Sequence, residues 1–191
     1  MSIATKLEQG YTYGDYAQWP EDEHWELIDG VAYAMVAPQR IHQKIVSELG
    51  RQIGNHFHGK PCEVYVAPFD VRLPYKNEAD AQVENVVQPD LTIVCDKSKL
   101  DKKGCRGTPD WVIEVLSPST TLHDMNIKRG LYERHGVNEY WIIHPEDRWI
   151  MGYTLDAQAQ YGKPSVFGMD EPTPVQRFPD LHIDWSFMTE V

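Results

Sequence analysis

The stretch Pro109 to Thr120, PDWVIEVLSPST, limits the fold of this chain more than any other. From Trp111 to Leu116 every residue but one is apolar, which is the pattern of a central strand covered on both faces. Side chains alternate along a strand, so Trp111, Ile113 and Val115 share one face and Val112, Glu114 and Leu116 the other. Glu114 is the exception. Removing an ionised carboxylate from water costs several kcal/mol unless something compensates it. The strand therefore requires a partner for Glu114 from elsewhere in the chain.

Two residues stand out by position. Asp90 opens the preceding buried strand, QPDLTIVCD, directly after a proline that fixes the local backbone. If the two strands are sheet neighbours, the carboxylates of Asp90 and Glu114 converge and, ionised together, need a cation. Oxygen ligands in this number favour Mg²⁺, with Mn²⁺ as a substitute. The plainer alternative makes Asp90 a turn residue and Glu114 half of an ion pair. Lys128 is the second residue. On a helix expected from about Thr120 to His135, Met125, Leu131 and Tyr132 define the inward arc and Lys128 falls at its centre. Lysine is rarely buried unpaired, so its ammonium either meets Asp124 one turn earlier or points at the Asp90–Glu114 site. A cation and a lysine beside two carboxylates suit phosphodiester hydrolysis, because they activate water and stabilise charge on phosphate oxygens. Glu26, between apolar neighbours in WELIDG, is a candidate third oxygen ligand or an exposed hairpin charge. His42 falls inside the apolar arc of its helix, as a site residue or a hydrogen-bonded core histidine. Asp70, in FDVRL, is a weaker candidate.

The remaining pattern gives the fold class. TYGDYAQWPE reads as a short helix capped by Thr12 and stopped by Pro20, and HWELIDGVAYAMV as a hairpin turning at Asp29-Gly30. QRIHQKIVSELGRQIGNHF is the strongest helix, with Ile41, Ile45, Val46, Leu49 and Ile53 on one arc and Arg40, Lys44 and Arg51 on the other. CEVYVAP, FDVRLP, EYWIIHP and RWIMGYTL read as strands, Tyr75 to Glu84 as a polar loop, and LHIDWSF as a closing edge strand. Hairpins first and helices interleaved later predict an α/β fold, a mixed β-sheet flanked by helices, with an N-terminal helix and hairpin. At 191 residues the chain suits one domain over 1–191.

Composition excludes several classes. Hydrophobic residues at 41% and charged residues at 25% are those of an ordinary globular protein. No apolar run approaches the roughly 20 residues that cross a bilayer, and MSIATKLEQG lacks the apolar core of a signal peptide. Cys62, Cys95 and Cys105 form no paired spacing, so no disulfide or structural zinc is expected and a reducing cytoplasm is. A net charge of −11 opposes long-range attraction to nucleic acid. The one local exception is KSKLDKKGCR, read either as a solvated loop or as a phosphate contact through Lys97, Lys99, Lys102, Lys103 and Arg106.

The ordered set WELIDG, a histidine on the following helix, QPDLTIVCD, PDWVIEVLSPST and a lysine before LYERHGVNEYWIIHP resembles the Uma-two family of restriction-endonuclease-like proteins. That family is similar to a branch of the PD-(D/E)XK nuclease superfamily, and the resemblance runs from Tyr11 to Phe187. It implies a restriction-endonuclease-like core holding Mg²⁺ at its sheet edge and acting on nucleic acid, most readily DNA. Asp90 then matches the acid of the P-D motif and Glu114 that of the E-x-K motif, with the carbonyl of Val115 a further metal ligand. Leu116 stands where the superfamily has lysine. Superfamily members move that lysine to a neighbouring helix, and Lys128 matches the family's lysine there. Glu26 and His42 match family positions as well. With so acidic a chain, target binding would draw on a homodimer, the basic loop or another protein. A nuclease-like module that binds or regulates without cutting is the competing function.

Overall fold

Residues 10–190, apart from Glu21 and Ser119, are described in a computed structural model. The segment MSIATKLEQ, in which a signal peptide's apolar core was sought, lies outside them. The chain forms α1 (Tyr13–Tyr16), β1 (Trp25–Ile28), β2 (Val31–Ala34), the long helix α2 (Arg40–Phe57), and then β3 (Glu63–Val66), β4 (Val71–Arg72), β5 (Val86–Val87) and β6 (Leu91–Val94). A hairpin, β7 (Leu100–Asp101) and β8 (Gly104–Arg106), leads into β9 (Trp111–Val115). A π-helical turn over His123–Lys128 runs directly into α3 (Arg129–His135). The strands β10 (Glu139–His144), β11 (Trp149–Thr154), β12 (Ser165–Gly168), β13 (Thr173–Pro174) and β14 (His182–Ile183) complete the chain.

These strands make two mixed six-stranded sheets and one two-stranded ribbon. One sheet has the order β2-β1-β5-β4-β8-β7, the other β12-β11-β10-β9-β6-β3. The strand that carries Glu114, β9, is central, antiparallel to β6 and parallel to β10, and all five of its residues are buried. Its Trp111, Ile113 and Val115 face a core built with Ile45, Val46, Leu49 and Ile53 of α2. Val112 and Leu116 face the opposite core, with Leu131 and Tyr132 of α3 and Val71 and Val87 of the other sheet. Glu114 therefore looks into the layer between the two sheets, a placement that alternation along an apolar strand dictates. The β1–β2 turn follows from its residues too: Asp29 and Gly30 both hold positive φ, 51° and 71°, as a two-residue hairpin turn requires.

The mixed α/β architecture is the one expected, with three differences. The basic segment is a hairpin with its charges engaged: Lys97 pairs with Glu63 at 2.6 Å, Lys99 donates to the Thr108 carbonyl, and Arg106 reaches Asp80 and the Glu78 carbonyl. The closing strand β14 pairs with β13 in its own ribbon instead of forming a main-sheet edge. Cys62 and Cys95 form a disulfide, against the expectation of none. Their separation of 33 residues carries no pattern, but the antiparallel register Glu63↔Val94, continued by one residue, sets them directly opposite. Cys105 stays reduced and buried. Among the described residues no helix is long and apolar enough to cross a membrane.

Candidate active site

The register of β6 on β9 organises the site. Leu91 pairs with Ile113, so the next step outward sets Asp90 against Glu114. Asp90 has left the ladder after Pro89, and its side chain supplies the acceptor there: Oδ2 takes the Val115 amide at 2.7 Å. The same oxygen lies 3.1 Å from Nε2 of His42, which α2 brings in from its apolar face. Asp90 is thus held from two directions, by a neighbouring strand and by a helix.

Glu114 is met by Lys128, whose Nζ lies 2.9 Å from Oε1. The same ammonium lies 2.8 Å from Oε1 of Glu26 on β1 and 3.7 Å from Oδ1 of Asp124. Sequence left Asp124 and the site as alternatives for Lys128; the structure brings all three carboxylates to one ammonium. The Tyr132 hydroxyl donates to Oε1 of Glu114 at 2.9 Å, and the Gln88 amide donates to Oε1 of Glu26 at 2.9 Å. The π-helical turn matters here, since its wider winding buries His123, Asp124 and Lys128 together. Side-chain exposure is 6% for Lys128 and 5% for both Glu26 and Glu114, so these are desolvated charges.

Acid exceeds base in this cluster. Burial raises the Glu114 carboxyl well above its ordinary range; Lys128 pulls it back, while Asp124, Asp90 and Glu26 push it further up. Burial likewise takes Asp124 up to about 6, against the pull of Lys128. For Lys128 burial acts downward, but Glu114, Glu26 and Asp124 outweigh it and hold the ammonium well above an ordinary lysine. Tyr132 is raised by burial and by Glu114, and remains a hydroxyl donor. His123 is lowered to about 4 by burial and Lys128, so it is neutral where the carboxylates are not. Its Nε2 lies 3.9 Å from Oε2 of Glu26, beyond hydrogen-bond distance.

Glu26, His42, Asp90, Glu114, Val115 and Lys128, the candidate site residues of the sequence, all lie in or beside this cluster, whereas the basic segment does not. Val115 enters through its amide. Asp70 sits one step out: its Oδ1 accepts from Tyr16 at 2.9 Å and from Nε2 of Gln88 at 2.8 Å, and Gln88 carries the contact on to Glu26. Sequence reasoning did not find Gln88, His123 or the Tyr132 hydroxyl. Tyr132 was readable as an apolar neighbour of Lys128, and a buried tyrosine needs a partner for its hydroxyl. No such signal marks Gln88. Among the described residues, no group of three or more His, Cys, Asp or Glu side chains stands in position to hold a metal ion.

A protein-family model described as "Uma2: Putative restriction endonuclease" matches residues 13–186, nearly the whole chain. The chain belongs to the Uma2 family. A curated relative, the uncharacterised protein slr1290 of Synechocystis sp., is 28% identical to this Uma2 chain over 131 residues. That match covers 68% of the chain and 65% of the relative, so the chain spans just under two thirds of that protein's length. A crystal structure titled "a putative nuclease belonging to DUF820 from Anabaena variabilis" superposes with a TM-score of 0.72 at 22% identity, over 94% of this chain and 97% of that one. At that identity the likeness is one of fold, and it gives this Uma2 protein a nuclease-like core.

Proposed function

We propose that this Uma2 protein is a Mg²⁺-dependent endonuclease, a single domain that hydrolyses phosphodiester bonds in DNA, with Mn²⁺ able to substitute. The observation that carries this reading is the facing pair Asp90 and Glu114 on adjacent strands. Among the described residues, the contacts of each fall on one oxygen, Oδ2 of Asp90 and Oε1 of Glu114, which suits an added ligand on the other. An excess of buried carboxylates over one ammonium suits the same addition, and hard oxygen donors suit Mg²⁺. Asp90, Glu114 and the Val115 carbonyl would hold the ion, which when bound activates water and stabilises charge on the phosphate.

The chain's own residues do the remainder. Lys128, kept protonated by Glu26 and Glu114, presents a fixed positive charge to the phosphate oxygens. Glu26 holds that ammonium in place and is itself anchored by the Gln88 amide. His42 orients Asp90 from the α2 side. A nucleic-acid substrate is what supports a cytoplasmic place of work, since the Cys62–Cys95 disulfide removes the support that unpaired cysteines gave it. Since one copy carries a net charge of −11, pairing into a homodimer would give the substrate a second set of contacts.

The test is cleavage of a mixed DNA and RNA panel with Mg²⁺ or Mn²⁺ by wild type and Glu114→Gln. Divalent-dependent cutting of DNA that the variant lacks is expected. Equal cutting by both proteins, or none by wild type on any substrate, would overturn the reading and favour a module that binds without cleaving.

A further inference from the structure

A cavity of about 190 Å³ opens beside the Asp90–His42 pair. Ile41, Leu116, Pro118 and Pro145 contribute apolar lining. Polar groups line it as well: Gln39, Ser117, the Thr121 hydroxyl, which donates to the Ser117 carbonyl and can still accept, and His144, whose Nδ1 accepts from the Asp147 amide. His42 lines it too and joins it to the site, since its Nε2 contacts Asp90. Leu116 and Ser117 do the same from the other side, because they directly follow Glu114 and Val115 on β9.

The lining chemistry selects among the parts of a nucleotide. Among the described residues, no lysine or arginine lines the cavity, and its one charged wall residue is the carboxylate-bearing Glu146. A phosphate would meet repulsion there and no counter-charge. A flat heterocycle fits better: it lies on apolar side chains while its edge finds amide, hydroxyl and imidazole partners. The volume suits one base and not a base pair.

We propose that this cavity takes a single unpaired nucleobase of the substrate strand, next to the phosphate that Lys128 and the ion at Asp90 and Glu114 would engage. The inference rests on the nuclease reading and deepens it: the preferred substrate is a strand that is single, frayed or distorted at the cut, because a base in a regular duplex cannot reach a pocket of this kind without leaving the stack.

The experiment uses a single-stranded oligonucleotide containing one 2-aminopurine, titrated with the full chain without divalent metal. Wild type should give a saturable change in emission. Thr121→Phe, which fills the cavity, should weaken it about tenfold, within what loss of one stacked base costs. Gln39→Ala, on an exposed side chain, should weaken it several-fold and serves if Thr121→Phe melts early. Unchanged emission curves in both folded variants would overturn the proposal, as would equally tight binding of an oligonucleotide whose sugars lack bases. The two readings fail separately. If wild type cuts nothing but Thr121→Phe loses the emission change, the base pocket stands without the nuclease. If wild type cuts DNA and both variants match it in cleavage and emission, the nuclease stands without the pocket.

Discussion

Lys128 touches carboxylates from two sheets, and that decides what its removal does. On the helix alone, an apolar side chain would fit the inward arc, and Lys128→Met would cost activity more than stability. With Glu26 at 2.8 Å and Glu114 at 2.9 Å the result differs, because methionine strands two buried charges. Lys128→Met should lose about 3–5 kcal/mol of stability near neutral pH as well as any cleavage, read by urea denaturation. Adding Glu114→Gln should recover part of that loss. Acid titration separates two other residues of the cluster. The folded-state pKa of Asp124, about 6, is raised above its ordinary 3.8, so its stabilising contribution is full below that ordinary value and lost as pH rises through about 6. His123 is depressed to about 4 from 6.5, so its contribution is full above 6.5 and lost as pH falls toward 4. Relative to wild type, Asp124→Asn should therefore gain stability as pH rises across this window, and His123→Asn should gain it as pH falls. Parallel denaturation curves at every pH would refute both assignments.

At the scale of elements, the hairpin β7–β8 corrects a simple reading of charge. Lys97, Lys99, Lys103 and Arg106 are committed to Glu63, Thr108, Asp80 and Glu78, and among the described residues Lys102 alone of this group has no such contact. Changing Lys97, Lys99, Lys102 and Lys103 to alanine should then alter the salt dependence of DNA binding by about one phosphate contact, not four. A slope flattened by about four would restore the hairpin as a nucleic-acid grip. The same comparison marks what sequence makes legible. The apolar run around Glu114 announced a covered strand, and Lys128 at the centre of an inward arc announced a buried charge, because burial and alternation are written residue by residue. The π-helical turn was not legible, since no residue of His123–Lys128 marks a change of winding, and His123 was missed with it. Nor were the hairpin's ion pairs, which depend on neighbours far apart in the chain. Reading both strands did not suffice for register: Asp90 opposite Glu114 could be anticipated, whereas Cys62 opposite Cys95 was not, because nothing in either strand names β3 as the neighbour of β6.

For the whole molecule, that disulfide fastens the edge strand β3 to β6, the strand that directly follows Asp90. Closing a loop of 33 residues is worth about 3–4 kcal/mol by chain entropy. Reduction, or Cys62→Ser with Cys95→Ser, should lower unfolding stability by up to that amount, and equal denaturation midpoints with and without reductant would show the bridge to be absent in solution. The chain also crosses repeatedly between the sheets: β3 and β6 enter one, while β4, β5, β7 and β8 enter the other. Lys128 then ties Glu26 of the first sheet to Glu114 of the second. Order of synthesis follows from this. Glu26 leaves the ribosome early, but the ammonium that pairs with it comes later, and β10, which pairs beside β9, later still. Every shorter nascent chain lacks a completed centre, so the cluster closes only once β10 has emerged, with four strands still to follow.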